Sequence, residues 1–139
     1  MPESDVIPTS ASIASTGKGI RYIGNWAYAY SGLIGVVTST SPLTALEFNT
    51  ASNMIDAKFL WSYDPPAINT NQSLTFEILM NDEIIHRFVE YINATYGPTI
   101  DFPLVIPIII PPETSVLCRV GNTGTNQLDT YLTMHGKVF

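Results

Sequence analysis

Residues 55–63 read Ile-Asp-Ala-Lys-Phe-Leu-Trp-Ser-Tyr, and apolar side chains stand at every second position of this stretch. Successive side chains of a β-strand point to opposite faces, so the alternation places Ile55, Phe59 and Trp61 on one face of a strand. A helix would scatter the same residues around its axis. The stretch therefore predicts a strand with one buried face.

The same period of two recurs along most of the chain from residue 19 onward. It is seen in residues 26–30, 43–49, 74–80, 115–120 and 128–138. Loops rich in Pro, Gly and Asn separate these segments, a pattern typical of β-sandwiches and barrels. We therefore expect an all-β protein: a single jelly-roll β-sandwich of about eight strands over residues 19–139, preceded by an N-terminal arm over residues 1–18.

Two segments allow more than one interpretation. In residues 83–92 the apolar side chains fall at helical spacing, with Asp82 as a possible N-cap, so a helix is an alternative. A strand is favoured, because Asn81 and Asp82 suit a tight hairpin after the preceding strand. Residues 104–110 are apolar on both faces and contain Pro107, which fits an edge strand or a buried segment beside a bulge.

Composition narrows the class of protein further. The chain has 139 residues, 45% of them hydrophobic and 13% charged, with a net charge of −6. This length supports one packed domain, and the negative charge leaves no basic patch for direct nucleic-acid binding. The longest apolar stretch, residues 104–112, is interrupted by Pro107 and is far shorter than the roughly 20 residues that span a bilayer, so no membrane span is expected.

Residues 1–18 are rich in Ser, Thr, Ala and Pro and show no periodicity. Such a segment is seldom ordered unless it lies against its own domain or a neighbouring subunit. Together with the low charge, this arm suggests that copies of the chain assemble with one another.

Few residues suggest catalysis. His86 and His135 fall in different predicted strands without a third ligand at metal spacing, so we interpret them as partly exposed strand histidines; a metal or acid–base role is the alternative. The single cysteine, Cys118, excludes an internal disulfide and is interpreted as a small core residue. The carboxylates are spread singly and are expected to be solvated. We expect no enzyme activity, no cofactor and no metal.

The aromatic residues allow two interpretations. Trp26, Tyr28 and Tyr30 could form a platform on which carbohydrate rings stack, as could the aromatic residues of 55–63. Their alternation with small residues favours packing in the core instead. Tyr96, in a predicted loop, is expected to be exposed.

The C-terminal half has four notable features: the hairpin at Asn81-Asp82, the turn Pro111-Pro112-Glu113-Thr114, the strand that follows it, and the ending Met134-His135-Gly136-Lys137-Val138-Phe139. Together they are similar to features of small single jelly-roll virion proteins of tailed phages and other icosahedral viruses. The resemblance covers about residues 43–139 and consists of turn chemistry rather than functional residues.

This resemblance implies a non-enzymatic structural protein located in the virion, such as a minor capsid, penton or decoration subunit. The implied partners are further copies of the chain, as a homo-oligomer of trimeric or pentameric form, and a major capsid protein or other virion proteins. The alternative is a receptor- or carbohydrate-binding β-sandwich that uses residues 65–72 or 93–101, with Tyr96 as a contact.

Overall fold

The computed structural model describes residues 19–36, 42–64, 72–92, 103–123 and 128–139. Every regular element within these ranges is a β-strand, which confirms the all-β prediction. The strands are β1 (Ile20–Ile23), β2 (Trp26–Tyr30), β3 (Ile34–Val36), β4 (Leu43–Asn49), β5 (Ile55–Asp64), β6 (Gln72–Met80), β7 (Glu83–Ile92), β8 (Leu104–Ile110), β9 (Ser115–Asn122) and β10 (Leu128–Val138). The predicted arm, residues 1–18, lies outside the described residues.

The strands form two antiparallel sheets that enclose one core, which confirms the predicted β-sandwich. Sheet A has the order β1-β2-β10-β5-β8, with β3 also paired to β10, and sheet B has the order β4-β9-β6-β7. Trp61 of sheet A stacks on Phe76 of sheet B with ring centroids 5.3 Å apart, and Phe88 meets its edge at 6.0 Å. These rings, with Phe48 and Phe59, are the largest apolar groups between the sheets.

The strand pairs are nested around the hairpin of β6 and β7. Strand β5 pairs with β8, β4 pairs with β9, and both β2 and β3 pair with β10. The chain therefore forms one long antiparallel ribbon that turns back at Asn81 and Asp82. The ribbon closes into two sheets because β10 also pairs with β5, and β9 with β6.

Residues 83–92 are a strand, so the helical alternative is wrong. Asn81 and Asp82 both have positive φ, 49° and 69°, as a tight hairpin of the primed type requires. Ile78 pairs with His86 and Leu79 with Ile84, which leaves Ile85 as an extra residue in a bulge. This extra residue places two isoleucines side by side and produces the helix-like spacing in the sequence.

The described residues contain ten strands rather than about eight. One extra strand, β1, forms a hairpin with β2 at the margin of sheet A. The second extra strand arises because residues 31–33 interrupt the pairing with β10, so that β2 and β3 are two consecutive strands along it. There Ser31 Oγ accepts the Leu132 N–H at 2.9 Å and Gly32 adopts a φ of 73°, so a side-chain oxygen replaces one acceptor of the ladder.

Strand β8 is an edge strand, one of the two interpretations of residues 104–110. Within the described residues it pairs with β5 alone, and Pro107 stands opposite Lys58. Proline is tolerated at such an edge because it has no N–H to donate. Side chains alternate along the strand, so Ile106 and Ile110 are buried whereas Val105 and Ile109 are exposed.

The two ends of the sandwich differ in how the chain connects its strands. At one end the turns are short and described throughout, at residues 24–25, 50–54, 81–82 and 111–114. At the other end lie the strand termini that adjoin residues 37–41, 65–71, 93–102 and 124–127. We call the first the turn end and the second the loop end.

Candidate interaction surface

The solvent side of sheet A carries a ladder of three aromatic side chains on β2. Trp26, Tyr28 and Tyr30 are 46%, 42% and 54% exposed, whereas Ala27 and Ala29 between them are buried. The prediction that these three aromatic residues pack in the core is therefore wrong. The prediction of core packing is confirmed for the aromatic residues of β5, since Phe59, Trp61 and Tyr63 are all buried. We call the solvent side of sheet A the aromatic face.

Small residues occupy the inner side of β2 and continue across the neighbouring strands β10 and β5. Ala27 pairs with Gly136, which pairs with Ala57, so three small residues cross β2, β10 and β5 in one row. A Cβ added to Gly136 would lie 2.6 Å from the Asp56 carbonyl oxygen and 2.8 Å from Ala57 Cα. Strands β10 and β5 therefore approach closely at Gly136, whereas on β2 the inner positions hold alanines and the outer positions hold the large side chains.

Paired residues on the aromatic face form rows across the sheet, because directly opposed residues of antiparallel strands share a face. The row through Tyr28 contains Arg21, Tyr28, His135, Lys58 and Pro107. The row through Trp26 contains Ile23, Trp26, Lys137, Asp56 and Ile109.

These two rows combine exposed apolar groups with positive charge. Arg21, Lys58 and Lys137 are exposed, and Asp56 is the one carboxylate in the two rows. Asp129 lies on the same face but six residues along β10 from His135, a distance of about 20 Å at the rise of a strand. The aromatic face is therefore locally cationic on a chain whose net charge is −6.

The solvent side of sheet B carries a ladder of three charges. Glu77 Oε1 accepts a hydrogen bond from Arg119 Nε at 2.7 Å, and Oε2 accepts one from Arg87 Nε at 2.6 Å. Burial raises the pKa of the Glu77 carboxyl, but the hydrogen bonds and charges of the two arginines outweigh it and hold this pKa below its usual value. The three residues line a shallow depression of about 460 Å³.

The turn end carries exposed carboxylates around the β6–β7 hairpin. Asn81 Oδ1 accepts the Ser115 N–H at 2.9 Å, which fastens the hairpin to the start of β9 beside Glu113. Glu47 and Asp82 line one depression of about 220 Å³, and Glu83 opens β7. We call the set Glu47, Asp82, Glu83 and Glu113, all exposed, the acidic end.

Two carboxylates are buried, so the prediction that the carboxylates are solvated is wrong for Glu77 and Glu90. Glu77 is 4% exposed beneath its two arginines, and Glu90 is 1% exposed on the inner side of β7. Burial, and after it the charge of Glu90, raises the pKa of Tyr63 to about 12. The register that brings Arg119 to Glu77 links residues 42 positions apart, and local sequence patterns carry no signal for it.

The residues considered for catalysis or metal binding do not converge in the described part of the chain. His86 faces inward on β7 of sheet B, whereas His135 faces outward on β10 of sheet A; both are half-buried. No group of three or more His, Cys, Asp or Glu residues that could hold a metal ion occurs in the described ranges. Cys118 is buried as predicted, and burial raises the pKa of its thiol. Tyr96 and most of residues 65–72 and 93–101 lie outside the described residues.

A scan against protein-family models and a search of the curated proteins found no match to this chain. In the ranges that the structure describes, no helix has the length and apolar character needed to cross a membrane.

Proposed function

We propose that the chain is a non-enzymatic structural subunit of a virion, built as a single jelly roll, and that it acts by assembling with copies of itself and with a major capsid protein or other virion proteins. The nested pairing of strands around the β6–β7 hairpin supports the jelly-roll assignment, because a rolled antiparallel ribbon in two sheets is the defining feature of that fold. The resemblance of residues 43–139 to small virion proteins supplies the biological setting.

The observation that carries the assembly proposal is the aromatic face. Trp26, Tyr28 and Tyr30 stand in line on one strand, with Val105 and Ile109 exposed at the opposite margin of the same sheet. A single exposed apolar residue needs no explanation, but a sheet face with apolar side chains at both margins is typical of a contact surface. Aromatic residues are also enriched at protein interfaces.

Size-exclusion chromatography with light scattering tests this proposal on the full chain at micromolar concentration. We expect a defined homo-oligomer, with a trimer or pentamer as the form that the resemblance implies, or a complex once a major capsid protein is added. A chain that stays monomeric and binds no virion protein would contradict the proposal.

The same aromatic ladder favours a second candidate, a carbohydrate-binding module. Residues at alternate positions of a strand are about 6.6 Å apart, so the three rings form an extended platform for the apolar faces of sugar rings. Glycan-array binding that is lost in Trp26→Thr and Tyr28→Thr variants, but kept in Tyr91→Thr, would favour this candidate. Absence of glycan binding by the wild type would exclude it.

A further inference from the structure

The aromatic face and the acidic end are complementary in charge, and both also expose apolar side chains. The aromatic face presents Arg21, Lys58 and Lys137 beside Trp26 and Tyr28. The acidic end presents four carboxylates, and next to Asp82 and Glu83 it exposes two isoleucines of β7, Ile84 and Ile85. In a contact between the two surfaces, the cations of the aromatic face would neutralise the carboxylates of the acidic end, and the exposed apolar side chains of both would be buried.

The two surfaces cannot meet within one chain. Glu47 lies on the solvent side of β4 and Glu83 at the start of β7, both in sheet B, whereas the aromatic face is the solvent side of sheet A. The hydrogen bonds of Asn81 with Ser115 and of Asn49 with Ser115 hold the hairpin against its own sheet. The partner with matching chemistry is thus a second copy of the chain.

We propose that copies associate head to tail, with the acidic end of one copy bound to the aromatic face of the next. The inference rests on the proposed function, since it names the surfaces through which self-assembly takes place. Because the two surfaces differ, the contact is heterologous, and repeating it generates a ring when the rotation between copies closes. Opposite charges at the contact set its orientation and reject pairings of like surfaces.

Charge reversal on each surface, and then on both, tests the proposal. One variant, Arg21→Glu with Lys58→Glu, reverses the aromatic face; a second, Glu47→Lys with Glu83→Lys, reverses the acidic end. These acidic residues are chosen because neither is among the positive-φ positions, whereas Asp82 and Glu113 lie in turns at positive φ. All four altered positions are exposed, so the fold should be retained, which circular dichroism and thermal melting check.

Each reversal alone should raise the dissociation constant of self-association by at least about tenfold, because like charges then face each other. The chain that carries both reversals should recover the wild-type constant, and it keeps the wild-type net charge of −6, so recovery cannot come from a change in overall charge. Tyr91→Glu, an exposed position on β7 near the loop end, is the control and should change nothing.

The outcomes separate the inference from the function on which it rests. If the wild-type chain assembles but the single reversals have no effect, or the combined reversal does not restore assembly, the head-to-tail contact is wrong and the assembly function stands. If the wild type neither self-associates nor binds a virion protein, both fail.

Discussion

At the scale of single residues, a small group and a buried polar group each depend on strands that are distant in the sequence. Gly136 and Glu77 are the clearest cases: a Cβ at position 136 would meet the backbone of β5, and the Glu77 carboxylate accepts hydrogen bonds from two arginines. The residues next to them in the sequence do not indicate either role. The close approach of β5 requires glycine at position 136, and two arginines on neighbouring strands bind the Glu77 carboxylate.

Gly136→Ala should destabilise the protein by about 1–3 kcal/mol or more, since the new methyl group would meet the backbone of Asp56 and Ala57 rather than a mobile side chain. Urea unfolding measures the loss. Gly121→Ala is the matched control, because the nearest atom to its Cβ is Pro42 Cβ at 4.0 Å. Equal stability of the two variants would show that β10 and β5 do not approach as closely as described.

Glu77→Gln should make stability less dependent on acid pH. The lowered pKa of Glu77 means that its contribution is present above the ordinary carboxyl pKa of about 4.3 and is lost as pH falls through the folded value. The difference in free energy of unfolding between wild type and variant should therefore shrink as pH falls from about 7 to about 3. A difference that stays constant across this range would mean that the Arg87–Glu77–Arg119 ladder does not stabilise the ionised carboxylate.

At the scale of the element, the sequence predicted strands well where one face lies over the centre of the opposite sheet. β5 is such a strand, and its alternation from Ile55 to Tyr63 correctly gave the buried face. β2 has the same alternation but lies toward the margin of sheet A, and there the alanines face inward and the aromatic side chains face solvent. The alternation of large and small residues predicted strand β2, but which of its faces is buried depends on its position within the sheet.

The charges around the aromatic ladder and the grouping of the acidic end were beyond prediction for a related reason, whereas an exposed platform of Trp26, Tyr28 and Tyr30 was an alternative that the sequence offered. The rows of the aromatic face are assembled from segments far apart in the chain, as the pairing of Tyr28 with His135 and of His135 with Lys58 shows. Strand pairing of this kind depends on the whole topology. The hairpin at Asn81 and Asp82, in contrast, was predictable because two adjacent residues that tolerate positive φ are a local signal.

The junction between β2 and β3 should depend on one hydroxyl. Ser31→Ala removes the acceptor of the Leu132 N–H, and we expect a loss of about 1–3 kcal/mol because the Leu132 N–H then loses the acceptor that it has at the break in the ladder. Ser31→Thr keeps a hydroxyl and should retain most of the stability. Hydrogen exchange at Leu132 gives a local readout, and unchanged protection in Ser31→Ala would contradict this role.

At the scale of the whole molecule, assembly and stability should be linked. Any partner that binds only the folded chain stabilises it, so the melting temperature should rise as protein concentration increases by about a hundredfold. Trp26→Thr with Tyr28→Thr should abolish this dependence; the melting temperature of the dilute protein should fall as well, because more than half of each residue's surface is buried, but it should no longer change with concentration. Differential scanning calorimetry measures the effect. A rise that persists in this variant would place the contact elsewhere.

The burial of Cys118 makes it possible to measure how often the sandwich opens. It is the single cysteine of the chain, its side chain is fully buried between the sheets, and its thiol is harder to ionise than a free one. The thiolate is the nucleophile that attacks a thiol reagent, and the reagent cannot reach the buried sulfur, so labelling requires the sandwich to open. The rate at which a thiol reagent modifies Cys118, measured by mass spectrometry on the unmutated chain, therefore reports how often the two sheets separate and whether neighbouring copies slow that event.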